Sequence, residues 1–84
     1  MNKMYEPMKI KDIRAKGKLV GRFARVRWTD AGATDCLVIA NKSNGKITQT
    51  TRFDGFFLDS DTVCSFQADQ ILAVGDYLGV DTGI

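Results

Sequence analysis

Phe23, Arg25 and Arg27 alternate within the run Gly21-Arg22-Phe23-Ala24-Arg25-Val26-Arg27-Trp28, with Lys18 a few residues upstream. In an extended strand, residues two apart share a face, so the spacing predicts two guanidinium forks beside one aromatic ring. A guanidinium grips phosphate bidentately and a ring stacks on a base. Lys18, Arg22, Phe23, Arg25 and Arg27 are therefore the candidate residues for holding a phosphate-bearing ligand, either nucleic acid or a small nucleotide. The competing reading is that the arginines only solvate an exposed strand face, with Phe23 turned into the core.

Other chemistries have less to work with. The chain has no histidine, which removes the commonest general base and the Ser/His and Cys/His nucleophile pairs. A non-enzymatic binding protein is expected. Gly17, Gly21 and Gly32 fit neither the phosphate-cradling Gly-Lys-Ser/Thr loop nor the dinucleotide fingerprint. Cys36 and Cys64 lie in apolar, strand-like segments, and two cysteines without histidine cannot build the usual zinc site from one chain. They read as buried free thiols. Asp59-Ser60-Asp61, with Asp54 five residues earlier, is a carboxylate cluster that a hard cation could use. Turn aspartates bonding their own backbone explain the same residues more simply. No metal and no cofactor are expected.

The net charge of +2 conceals a polarity. Residues 1–28 hold nine Lys/Arg against two acids, a net of +7, and residues 29–84 hold three against eight, a net of −5. Such a split suits a directed interaction surface, or the halves pair with each other once strands bring them together. The apolar runs are far shorter than the roughly 20 residues that span a bilayer. Glu6 and Lys9 interrupt any signal-like apolar stretch. A cytoplasmic protein with no membrane partner is expected.

The elements that must position these residues follow from length and periodicity. Eighty-four residues make one domain near the lower limit for a self-sufficient core. Residues 1–17 read as a basic leader with one helical turn, from the i, i+3 spacing of Ile10 and Ile13 and the terminating Gly17. Residues 18–84 read as the folded domain. Ala24, Val26 and Trp28 share a face and predict the inward side of a strand, with Trp28 as a core anchor. After a turn at Thr29-Asp30-Ala31-Gly32, Cys36–Ala40 reads as a central strand.

Ser43-Asn44-Gly45-Lys46 predicts a two-residue hairpin, which would set Cys36 opposite Phe53 and Val38 opposite Thr51. Asp54-Gly55 reads as the next turn. Val63–Ala68 and Ile71–Leu78 supply two more strands around an Asp69-Gln70 bend, and the glycine-containing tail is expected to fray. Phe56-Phe57 places one ring on each side of a strand, so one of them predicts an exposed aromatic and a protein interface.

Five or six short strands in so few residues predict an all-β fold, a small barrel with a short N-terminal basic leader. The run Gly21–Trp28, the central strand, the Asn-Gly turn and the bend Asp69-Gln70-Ile71-Leu72 resemble the SH3-like and Sm-like small-barrel class over residues 18–78. The chain is also similar to short phage-encoded accessory proteins. That resemblance implies blocking a host factor or sequestering a nucleotide signal, and it carries over no site residue. Two functions are thus expected in competition: a binding module for a phosphate-bearing ligand, and a protein-interaction or inhibitor module docking a host protein. A barrel this small is also expected to bury surplus apolar surface in a homo-oligomer.

Overall fold

The computed structural model describes residues 6–29, 32–43 and 45–77. Five strands, β1 (Arg22–Thr29), β2 (Gly32–Asn41), β3 (Arg52–Phe57), β4 (Thr62–Gln67) and β5 (Ile71–Tyr77), follow a short helix α1 (Ile10–Ala15). They form one antiparallel sheet in the order β4-β3-β2-β1-β5. The all-β expectation holds. Among the described residues no pairing joins β4 to β5, so the expected barrel is not closed. A single 3-10 turn, Ala68–Gln70, links these two edge strands. The four residue steps from Gln67 to Ile71 reach at most about 14 Å, whereas edges of a flat five-stranded sheet stand about 19 Å apart. The sheet must therefore curl to bring its edges near each other at that end.

The concave face holds the core: Ala24 and Val26 of β1, Cys36 and Val38 of β2, Phe53 and Phe57 of β3, Phe66 of β4 and Ile71 of β5. Phe66 stacks on Phe53 at 5.7 Å and meets Phe57 edge-on at 6.0 Å. The helix belongs to the same core, because Ile13 is fully buried in it. Its end is set by Gly17, whose positive φ of 76° lets its N–H bond the Arg14 carbonyl at 3.0 Å, a conformation that costs glycine little.

The expected hairpin between β2 and β3 is replaced by a longer connection. Residues 42–51 intervene, and Cys36 pairs with Phe57 instead of Phe53, Val38 with Gly55 instead of Thr51. The chain is held there by a threonine turn: buried Thr51 accepts the Thr48 N–H on its hydroxyl at 2.8 Å and the Ala68 N–H on its carbonyl at 2.9 Å. At Cys36 and Val38 the slip from the expected register is four residues, an even number, so these side chains keep their face; past the register shift that follows Val38 it becomes five, with Ala40 opposite Asp54 instead of Gln49. Phe53 and Phe57 both stay inside.

Asp54-Gly55 lies within β3 and makes no turn. Gly55 is there because a Cβ would come within 2.7 Å of Cys36 Sγ. Only a bare backbone lets the sulfur close over the strand. Trp28 also departs from expectation. It sits on the core side of β1 and stacks on Phe57 at 5.0 Å with 19° between planes, yet it remains 46% exposed. It lies beside a register shift between Arg27 and Thr29, where the strand end carries it to the rim of the core. The turn at Asp30-Ala31, the Asn44 of the expected hairpin and the tail from Leu78 lie outside the described residues.

Candidate functional site

The two guanidinium forks nearest the start of β1 have protein partners. Arg22 donates from Nε to the Lys18 carbonyl at 2.9 Å, from Nη1 to the Gly75 carbonyl at 2.9 Å and from Nη2 to the Lys16 carbonyl at 3.1 Å. Five donors in a planar fork suit such convergent acceptors. Arg22 thus fastens the leader to the edge strand β5. Lys18 takes part through its carbonyl, while its side chain is exposed. Arg25 pairs bidentately with Asp35, the residue directly across on β2, at 2.9 and 3.2 Å. That hydrogen bond holds the Asp35 carboxyl below the usual carboxylate range, against the opposing effect of partial burial, with the charge of Arg25 adding to the lowering.

Arg27 is half-buried and gives its carbonyl to Gln70 Nε2 at 3.1 Å, which ties the 3-10 turn to β1. Phe23 is half-buried and faces outward, opposite the Ala24–Val26 side. Of the five residues expected to cooperate, the structure gathers Phe23 and Arg25 in one groove of about 420 Å³, completed by Leu58, Asp35 and the small residues Ala73 and Gly75. Lys18 and Arg22 stand apart from it as a seam.

Register extends this groove into a band across the outer face. Phe23 pairs with Leu37, Leu37 with Phe56 and Phe56 with Val63, one residue from each of β1, β2, β3 and β4. Residues paired across strands share a face, so the four form an apolar row across the outside of the sheet. Val63 is 56% exposed, and Leu58 at the groove's margin 51%. One step along the strands, Arg25 and Asp35 make a neutral polar step beside the row. Phe23 and Arg25 are site residues predicted from sequence, whereas Asp35, Leu37, Leu58 and Val63 emerge only from the fold. The adjacency of Phe56 and Phe57 was the available signal: Phe57 is buried and Phe56 faces out, half-buried.

The remaining polar clusters have structural employment. Asp54 accepts from Ser65 Oγ at 2.8 Å and lies 3.7 Å from Lys42 Nζ, and Asp59 accepts from Thr34 Oγ1 at 3.0 Å. Among the described residues no three Cys, Asp or Glu side chains cluster as metal ligands. No described helix is long and apolar enough to cross a membrane. A second cavity of about 400 Å³ is lined by Ile10, Arg14, Thr48, Gln49 and Thr50, with Arg14 Nε bound to the Ile47 carbonyl at 2.7 Å. Compared with known protein families, curated proteins and solved structures, the chain matches none.

Proposed function

We propose that this chain is a non-enzymatic protein-docking module that works through the outer face of its sheet. The observation that carries the reading is the apolar row Phe23-Leu37-Phe56-Val63 with exposed Leu58 beside it. A contiguous apolar surface rimmed by polar groups marks a contact site more often than a solvated face. Its large aromatic and aliphatic side chains are preordered on strands, which limits the entropy lost on association. The Arg25–Asp35 pair fits the same role, since a neutral, geometrically fixed pair specifies register without adding a net field.

The reading as a binder of nucleic acid or a nucleotide has a different support, the exposed cations Lys9, Lys11 and Lys16 of the leader and Lys18 just after it. It has less from β1, because a phosphate reaching Arg22 or Arg25 would have to displace carbonyl or carboxylate partners already in place. The likeness to SH3-like and Sm-like barrels belongs to this proposal and draws support from the curled five-stranded order β4-β3-β2-β1-β5.

The test compares the parent with Leu58→Asp and Val63→Asp as baits in a cell lysate, each with and without nuclease. Both positions are half or more exposed, so both variants should fold with stability within about 0.5 kcal/mol of the parent. The expected result is a discrete protein held by the parent and lost by both variants. Capture of nucleic acid alone, or of the same protein by all three baits, would overturn the reading.

A further inference from the structure

We infer that the partner this outer face fits is a second copy of the chain, packed face to face about a two-fold axis; the inference rests on the docking reading above. An isologous contact requires a self-complementary surface, and three observations supply one. First, Arg25 and Asp35 are direct cross-strand neighbours on β1 and β2, each about half exposed, with side-chain exposures of 55% and 50%. An axis lying in the interface, along the strands and midway between β1 and β2, exchanges these two positions. Arg25 then lies over Asp35 of the second copy, and Asp35 over its Arg25. A foreign protein would have to present a base and an acid in that mirrored order, whereas a copy does so by symmetry.

Second, the same rotation lays Phe23 over Leu37 of the other copy and Leu37 over its Phe23, joining the two apolar rows at their inner ends. Third, it carries the β3 side of one copy over β5 of the other. The bulky Leu58 and Phe56 thereby face the small Ala73 and Gly75 of the groove. Large over small is how facing sheet layers interdigitate.

The size of the patch sets the strength. Four strands span about 14 Å and six residues along a strand about 20 Å, roughly 300 Å² of projected face per copy, below the usual size of specific interfaces. The expected dimer therefore dissociates on dilution. The charge of +2 per copy opposes it only weakly.

The experiment is sedimentation equilibrium of the full chain from about 5 to 500 μM, with two single variants and their mixture. The parent mass should rise from 9.3 kDa toward twice that value. Arg25→Glu leaves acid facing acid in a symmetric pair, and Asp35→Arg leaves base facing base, so each alone should associate at least tenfold more weakly. Mixed in equal amounts, they present acid to base at both positions and should form a heterodimer with parent-like affinity.

A parent that stays at 9.3 kDa throughout overturns the inference. So does a parent dimer in which neither variant weakens association, or a mixture no better than its components. These outcomes leave the docking reading to its own test, since a monomer whose bait still captures a discrete protein through Leu58 and Val63 loses only the second copy as partner.

Discussion

Cys36 is closed in by its own fold. Its sulfur lies over the bare backbone of Gly55, and burial, reinforced by the neighbouring Asp35 carboxylate, pushes the thiol from 9.0 up to about 12. Since the thiolate is the nucleophile, Cys36 should be inert to a thiol reagent at pH 8 while the half-buried Cys64 reacts. One equivalent titrates in the native protein and the second appears only with denaturant. Two equivalents at equal rates would mean that the strand opens over Cys36. The raised value also has a consequence for stability. Above about pH 9 the unfolded chain sheds a proton that the folded chain keeps, so the slope of unfolding free energy with pH is negative. The contribution is fully present below pH 9.0 and is lost as pH rises toward about 12. Urea midpoints across that range should fall more steeply for the parent than for Cys36→Ala.

At the scale of elements, two arginines three residues apart do different work. Arg22 joins leader, β1 and β5 through three carbonyls, whereas Arg25 joins two strands already paired by their backbones. Charge-assisted bonds to convergent acceptors contribute about 1.5–3 kcal/mol, while an exposed ion pair contributes about 1 kcal/mol or less. Arg22→Ala should therefore lower the unfolding free energy clearly more than Arg25→Ala in urea melts. Equal losses would show that the seam is not held by Arg22. From sequence these two were indistinguishable, because their difference lies in what β5 and the leader bring to them from more than fifty residues and from six residues away.

What period and turn chemistry encode locally was legible: the inward side of β1, α1 with its terminating Gly17, and the 3-10 bend before β5. The pairing of β2 with β3 was not. Asn44-Gly45 is a strong local turn signal, but register is decided by which rings fill the core, and Phe53, Phe57 and Phe66 pack with Phe57 opposite Cys36. The candidate site was half visible, as Phe23 and Arg25. The rest of the apolar row depends on that same unreadable register.

For the whole molecule, the strand order has a consequence for how quickly it assembles. β2, β3 and β4 pair with neighbours in sequence, but β5 returns to β1, joining Val26 to Ile71 and Arg22 to Tyr77. Closing a long loop before its contacts form is entropically slow, so the meander β2-β3-β4 should be in place at the rate-limiting step and the β1–β5 seam should not. Mutations at Phe53 or Phe66 should then slow refolding, whereas Ile71→Val or Arg22→Ala should chiefly speed unfolding, as read from stopped-flow chevrons. The opposite pattern would put the seam in the nucleus. A seam that closes last is also the first to open, and its opening frees the edge of β1 while the rest of the sheet still stands. The vulnerability of this chain to proteases and to strand exchange is thus concentrated at one seam, where the Arg22–Gly75 bond and the buried Ile71 add to the backbone pairing that keeps it shut.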